Sequence, residues 1–164
     1  MIENVAHMPL YCKADKEGWG DSNKPKKVIC HAMAQIIDTD GDDYYAYNYL
    51  KMARLSAHAL IEPDGMMIKC RKEKQIAYHA KGFNQDTLGV EFLVKGFYTY
   101  ESFLERMKTP WLTEEQYDVG QDLIRWWMGN YNIAKIDVVF HSEISPGRKF
   151  DPGKGFPTSF RETL

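Results

Sequence analysis

Short apolar runs separated by turn residues recur along the chain, and this pattern predicts a sheet. The runs cover residues 28–32, 56–61, 66–70, 87–94 and 136–140, and their lengths are typical of buried strands. Between the second and third runs stands Glu62-Pro63-Asp64-Gly65. This sequence indicates a hairpin because Pro fixes φ and Gly tolerates a positive φ.

Two segments have the periodicity of a helix instead. Residues 44–55 have apolar positions at helical spacing. Thr113-Glu114-Glu115-Gln116 has the form of a capping box. It precedes a second set of apolar or small residues at helical spacing, namely Tyr117, Gly120, Ile124, Trp127, Met128 and Tyr131. Because strands and helices are mixed, we predict an α/β (mixed α+β) fold in which helices flank a central mixed sheet.

The length and composition fit a single domain. The chain has 164 residues, of which 44% are apolar and 27% are charged, and domains usually have about 100–200 residues. We therefore expect one domain over residues 1–164, with residues 1–25 as an N-terminal loop segment packed on it. The Asp-rich residues 38–43 predict a turn or a helix start, since they do not match a calcium-binding loop.

Charge and hydropathy exclude several classes of function. The formal net charge is -2, which argues against a general nucleic-acid binder. No apolar run approaches the roughly 18 residues of a membrane span. Residues 1–5 show no basic region followed by an apolar stretch, so we expect a cytoplasmic protein. Cys12, Cys30 and Cys70 are widely spaced and odd in number, which predicts reduced, packed thiols.

Candidate chemistry lies at and after the predicted strands. His31 and His141 each stand where a predicted strand ends, and Asp151 follows in a stretch rich in Gly and Pro. Two His and one carboxylate with an open fourth position are a ligand set of hydrolytic zinc sites. On spacing alone, however, a structural role is the better interpretation of any one of these histidines. Glu91 interrupts an apolar run, which is a costly position for a carboxylate without a partner or a function.

Several motifs resemble, in order, those of the type 2 N-acetylmuramoyl-L-alanine amidases. This family includes phage lysozyme-type amidases, cell-wall recycling amidases and animal peptidoglycan recognition proteins. The resemblance runs from about residue 26 to residue 157, and His141 to Gly153 is its most specific part. The matching segments are residues 28–31, 56–65, 77–80, 84–91 and 141–153.

The resemblance implies a zinc hydrolase that cuts the amide between N-acetylmuramic acid and L-alanine of the stem peptide. It assigns His31, His141 and Asp151 as ligands of Zn²⁺, Glu91 as the group that transfers protons, and Lys149 as the cation that stabilises the oxyanion. For this role we expect the apolar strand to raise the pKa of Glu91 toward neutrality.

Two positions separate branches of the family. Phage lysozyme-type members carry a catalytic Tyr just before the His of the central strand, and this chain has Ala57 there. Some phage members use Cys as the third metal ligand, whereas this chain has Asp151, as in the recycling branch. The proton-transfer role is therefore expected to fall to Glu91.

Other polar residues have two interpretations each. The resemblance suggests that His79 contacts substrate, and a hydrogen-bonded structural role is about equally favoured. Asn84 is a substrate-contact candidate or a turn residue, and Arg148 could bind a carboxylate of the stem peptide or remain solvated. His58 is expected to be a buried, hydrogen-bonded histidine.

The functional hypotheses differ in class. A catalytic amidase is favoured over a non-catalytic peptidoglycan-binding module, because all three ligand positions are filled, and over an unrelated metallohydrolase. The expected partner is peptidoglycan or a muropeptide, with no nucleic acid and no membrane, and we expect a monomer. The cellular role is lysis by a phage-type endolysin that reaches the wall through holin lesions, or muropeptide recycling, with lysis ranked slightly ahead.

Overall fold

The computed structural model describes residues 4–16, 21–35 and 45–164. The predicted turn over residues 38–43 lies outside the described residues. A six-stranded sheet in the order β1-β4-β3-β5-β2-β6 organises the described chain. Its strands are β1 Val5–His7, β2 Lys27–Gln35, β3 Ala59–Ile61, β4 Met67–Lys69, β5 Thr87–Lys95 and β6 Val138–Phe140.

The sheet is mixed, as the sequence predicts. β3 and β4 form the antiparallel hairpin around Pro63-Asp64-Gly65, and Gly65 has the positive φ that the turn requires. The other neighbouring strands pair in parallel. β2 therefore lies between the long strand β5 and the short strand β6.

Helices cover both faces of this sheet. They are α1 Lys13–Lys16, α2 Tyr45–Ala53, α3 Tyr100–Arg106, α4 Glu114–Tyr131, α5 His141–Ile144 and α6 Ser159–Glu162. The predicted capping box begins α4, with Thr113 accepting from the Gln116 N–H. Gln116 also donates to the carbonyls of Ile61 and Leu93, so it joins the helix start to two strands.

The two faces of β5 have different partners, because side chains alternate along a strand. Leu88, Val90 and Phe92 belong to the apolar core that contains Trp127 of α4. Leu93 belongs to a second core that contains Leu50 of α2. Residues 87, 89 and 91 share the face of Leu93, so Glu91 lies on the α2 side of the sheet.

The N-terminal segment is more ordered than predicted. We expected a loop over residues 1–25, but Val5–His7 pairs with β4 as an edge strand and Lys13–Lys16 forms a helical turn. The buried guanidinium of Arg71 binds the Asp15 carboxylate at 2.7 Å and fastens this segment to the domain. A three-residue strand is too short to show periodicity, so its formation depends on the partner strand.

Two further elements differ from the sequence-based prediction. The strand predicted over residues 136–140 begins only at Val138, because Lys135–Asp137 forms a 3-10 turn that leaves Ile136 78% exposed. Helix α3 was not predicted, and it contributes no buried residue. Within the part of the chain that the structure describes, no helix has both the length and the apolar character needed to cross a bilayer.

Candidate active site

Strand register brings three of the predicted site residues together. His31 lies on β2 directly opposite Glu91 on β5. On the other side, β6 pairs with β2 only as far as Cys30 and Phe140, and the next residues along these two strands are His31 and His141. The prediction that the strand ends at His31 is wrong, because β2 continues to Gln35. It is β6 that ends there, and its end opens space beside His31.

The Gly- and Pro-rich loop after α5 folds back and adds the carboxylate of Asp151. The Ser142 N–H donates to the carbonyl of Asp151 at 2.9 Å, which holds the return of the loop. The Oδ2 atom of Asp151 lies 3.0 Å from Nδ1 of His141 and 3.3 Å from Nδ1 of His31. The two Nδ1 atoms lie 2.9 Å apart.

These three groups fit a zinc ion. The ligand atoms lie within 4.8 Å of one another and converge from three separate parts of the chain. A tetrahedral zinc site with bonds near 2.05 Å needs ligand atoms about 3.3 Å apart, which is close to the three distances above. The donor set is also the combination of imidazole and carboxylate that zinc accepts. His31, His141 and Asp151 could therefore hold the ion.

The electrostatics of the cluster match closely packed, buried ligands. Burial lowers the pKa of His31, although the Asp151 carboxylate opposes this effect. Burial alone would raise the pKa of Asp151, but the adjacent imidazoles of His141 and His31 outweigh it and lower the pKa below its ordinary value. The carboxylate is thus held in its charged form, which is the form that binds metals.

Glu91 is nearly buried, with 8% of its surface exposed. Its Oε1 lies 4.0 Å from Nδ1 of His31. Burial raises the pKa of Glu91 well above its ordinary value, the Asp151 carboxylate raises it further, and the Lys149 ammonium opposes both. A carboxyl with a raised pKa beside a candidate metal site is suited to accept and return a proton.

A cleft opens above these groups and continues on both sides of Asp151 and Lys149. The smaller cavity, of about 200 Å³, reaches Glu91, His79 and Tyr78. The larger one, of about 460 Å³, passes along Tyr98 and α3. Both cavities are lined by Lys149 and Asp151, so a ligand that occupied both would contact these two residues.

The three predicted substrate contacts have different surroundings. Both ring nitrogens of His79 have partners within the protein, namely His31 and Thr87. The side chain of Asn84 accepts from the N–H groups of His79 and Ala80, which favours the turn interpretation. Arg148 is exposed and lines the larger cavity, where its guanidinium also donates to Ser145.

His58 has the structural role expected from the sequence. Its Nδ1 accepts from the Gly89 N–H at 3.0 Å, and its Nε2 donates to the Gln75 carbonyl at 2.9 Å. Burial, the largest effect, lowers the pKa of His58 to about 4. The ring is therefore neutral and fully hydrogen-bonded.

Sequence reasoning missed Thr87 and Gly89, which lie under His79 on β5. Thr87 Oγ1 is 3.1 Å from Nε2 of His79, and a methyl group at Gly89 would lie 2.5 Å from Nδ1 of the same ring. The alternation of Thr87, Gly89 and Glu91 on one strand face is the signal that places them beside the cleft.

Comparison with known proteins identifies the family of this chain. The family model described as N-acetylmuramoyl-L-alanine amidase matches residues 21–154. This chain belongs to that family. The resemblance in the sequence motifs and the predicted fold class are both confirmed.

Among curated proteins, this family member is similar to the 1,6-anhydro-N-acetylmuramyl-L-alanine amidase AmpD of Haemophilus influenzae. The two are 32% identical over 129 residues, covering 73% of this chain and 62% of the relative. The chain thus spans less than two thirds of the length of that protein.

Solved structures share the fold. The endolysin N-acetylmuramoyl-L-alanine amidase LysCS from Clostridium intestinale superposes with a TM-score of 0.70 at 19% identity, covering 99% of this chain and 95% of that chain. The Escherichia coli amidase AmiD, solved with anhydro-N-acetylmuramic acid-L-Ala-D-gamma-Glu-L-Lys, gives 0.68 at 21% identity, covering 85% and 57% of the two chains.

Proposed function

We propose that this protein is a zinc-dependent peptidoglycan amidase that hydrolyses the bond between N-acetylmuramic acid and L-alanine of the stem peptide. The observation that carries the proposal is the convergence of His31, His141 and Asp151 beside the buried Glu91, at the bottom of a cleft, in a member of the amidase family. Bound by three protein ligands, zinc activates water as a nucleophile at neutral pH and polarises a carbonyl.

Glu91 is the proposed general base and acid. It takes a proton from the attacking water and passes it to the alanine nitrogen, which leaves as an amine. The raised pKa of Glu91 supports this exchange, because a carboxylate with a raised pKa is a stronger proton acceptor and can then return the proton. Ala57 is fully buried and offers no side-chain proton, so no hydroxyl competes for this role at that position.

Lys149 is the proposed stabiliser of the developing oxyanion. It lines both cavities of the cleft, and its positive charge acts on both Glu91 and His31. A preorganised donor of this kind typically lowers the activation barrier by about 3–4 kcal/mol. In this proposal Lys149 and Glu91 carry the charge stabilisation and the proton transfer, and His31, His141 and Asp151 act as ligands.

The proposed substrate is a muropeptide, which extends on both sides of the scissile amide. Two cavities that meet at Asp151 and Lys149 suit a ligand with a sugar on one side and a peptide on the other. The exposed Arg148 in the larger cavity is placed to bind a carboxylate of the stem peptide. The muropeptide named in the AmiD complex is the model for this ligand.

Mass spectrometry of digestion products tests the activity. The protein is incubated with intact sacculi and, separately, with soluble anhydro-muropeptides, with and without a chelator. We expect peptides that begin with L-alanine, and we expect the chelator to abolish them. Peptide binding without any release of peptide would overturn catalysis and favour the non-catalytic binding module.

The same digest separates the two proposed cellular roles. Release from sacculi supports lysis, for which the enzyme would have to reach the wall. Activity restricted to soluble anhydro-muropeptides supports recycling in the cytoplasm, by a protein that we expect to act as a monomer.

A further inference from the structure

His79 contacts the Nε2 edge of the His31 ring, which points away from the candidate metal site. Its Nδ1 is 2.9 Å from Nε2 of His31, and its Nε2 is 3.1 Å from Oγ1 of Thr87. The hydroxyl of Thr87 in turn lies 2.6 Å from the carbonyl of Phe83. Four groups therefore form one continuous chain of hydrogen bonds that ends at a backbone carbonyl.

The carbonyl end sets the direction of every bond in this chain, because a carbonyl oxygen only accepts. Thr87 has one hydroxyl proton, and it donates that proton to Phe83. The Thr87 oxygen must then accept from Nε2–H of His79, which leaves Nδ1 of His79 with a lone pair. That lone pair accepts from Nε2–H of His31.

These hydrogen bonds determine the tautomer of His31 at the candidate metal site. A neutral imidazole carries one proton, so a His31 that is protonated at Nε2 has an unprotonated Nδ1. Nδ1 is the atom that points at His141 and Asp151. The Phe83 carbonyl, at the far end of this series of hydrogen bonds, thus selects the tautomer of His31 whose Nδ1 can bind a cation.

Strand β5 is built to accept His79 at this place. Thr87, Gly89 and Glu91 lie on one face at alternate positions, and the His79 ring covers Gly89. A Cβ atom at Gly89 would lie 2.5 Å from Nδ1 of His79, so only glycine leaves room for the ring. Asn84 fixes the backbone of the same segment by accepting from the His79 N–H at 3.1 Å.

We propose that His79 and Thr87 are positioning residues that hold His31 as its Nε2–H tautomer, with Nδ1 presented to the metal. This inference rests on the proposed function, in which His31 is a zinc ligand. It favours the structural interpretation of His79 over a substrate contact, since both ring nitrogens already have partners within the protein. Hydrogen bonds of this kind orient ligating histidines, and losing one typically weakens metal binding about 10- to 100-fold.

The test uses Thr87→Val, which keeps the shape of the side chain but removes the oxygen that accepts from His79. Zinc affinity is measured on the metal-free protein by competition with a chelating dye. We expect Thr87→Val to bind zinc about 10- to 100-fold more weakly than the wild type. Thr87→Ser, which restores the hydroxyl, should recover most of the loss.

A spectroscopic readout separates positioning from general damage to the fold. In ¹⁵N NMR of the metal-free wild type, His31 should appear as the Nε2–H tautomer. In Thr87→Val it should become a mixture of tautomers. Ser56→Ala is the control, because it removes another buried hydroxyl that bonds to the same segment, at the Tyr78 N–H. This control should leave both readouts unchanged.

A second pair of variants covers the case in which Thr87→Val does not fold. His79→Asn keeps an oxygen near the position of Nδ1, whereas His79→Leu has no acceptor. We expect His79→Leu to lose more zinc affinity than His79→Asn.

Two results would overturn the inference, and they have different implications for the proposed function. If the wild type binds zinc and both Thr87→Val and His79→Leu bind it with the same affinity, the positioning role alone is overturned. Failure of the wild type to bind zinc overturns the metal centre as well.

Discussion

His31 and His141 occupy equivalent places in the cluster but have different support. Both are buried, and both present Nδ1 to Asp151. Nε2 of His31 has His79 as a partner. Nε2 of His141 is buried and has no hydrogen-bond partner among the described residues. One histidine is therefore oriented by side chains of the sheet and its loop, and the other by the local backbone.

The backbone around His141 explains how it is held without such a partner. It is the first residue of α5, its carbonyl accepts from the Ser145 N–H, and the adjacent Ser142 N–H is bonded to the Asp151 loop. These bonds hold the backbone that carries the ring but do not set which ring nitrogen carries the proton. Under the proposed role of His79, the tautomer of His31 is set before a metal binds, whereas no side chain among the described residues sets the tautomer of His141 through Nε2.

The largest expected effects come from removing a ligand or the proposed proton carrier. His31→Ala should lose both zinc and activity. Glu91→Gln should keep zinc but lose about 10²- to 10⁴-fold in kcat, because it cannot transfer a proton. Metal analysis and turnover are measured on the same samples. Glu115→Gln, at an exposed carboxylate of α4 outside both cavities, is the control. A zinc-replete His31→Ala protein would contradict the ligand assignment.

A third histidine, His58, lies outside the cluster, and its burial should affect the pH dependence of stability rather than metal binding. Because its pKa is about 4 in the folded protein against about 6.5 when unfolded, the unfolded state binds more protons between these values. The contribution of His58 to the free energy of unfolding should therefore be complete above pH 6.5. It should decrease by about 3 kcal/mol as the pH drops to 4.

Urea unfolding over this pH range measures the effect, with His58→Gln as the variant in which this part of the pH dependence should disappear. His7→Gln, at an exposed histidine of β1, should retain it. An equal pH dependence in wild type and His58→Gln would show that other groups cause the loss.

A smaller effect is expected from Gly89→Ala, which disturbs only the His31 side of the cluster. The new methyl group would displace the His79 ring, and zinc affinity should fall about tenfold or more. Gly129→Ala is the matched control, since a Cβ there meets no atom within 4 Å and alanine favours the helix. Equal zinc affinity in the two variants would argue that His79 has no influence on His31.

The smallest effect concerns substrate rather than metal. Arg148→Ala should leave zinc binding and kcat unchanged and raise KM by up to about fivefold, since an exposed ion pair contributes no more than about 1 kcal/mol. Steady-state kinetics with a muropeptide that has free stem carboxylates measures this change. Amidation of those carboxylates should remove the difference between the variant and the wild type, and a difference that persists would exclude this contact.

The central sheet and the main helices could be predicted because their signals are local. The capping box at Thr113 and the hairpin at Pro63-Asp64-Gly65 depend on residues a few positions apart. The edge strand at Val5–His7 could not be predicted, since three residues acquire strand structure only through pairing with β4.

The candidate site was partly predictable for a similar reason. Motif resemblance pointed to His31, His141, Asp151 and Glu91. Strand register accounts for the meeting of the two histidines with Glu91, and the returning loop adds Asp151. The connection from His79 to Thr87 was not predictable from spacing, because it depends on the path of the loop between β4 and β5. Only the resulting contact distances show that His79 supports His31.

Anomalous diffraction at the zinc absorption edge tests the central claim most directly, using crystals of the protein prepared with one equivalent of zinc. The account predicts a single anomalous peak that is contacted by Nδ1 of His31, Nδ1 of His141 and the carboxylate of Asp151. A peak elsewhere, or amidase activity in protein free of metal, would contradict it.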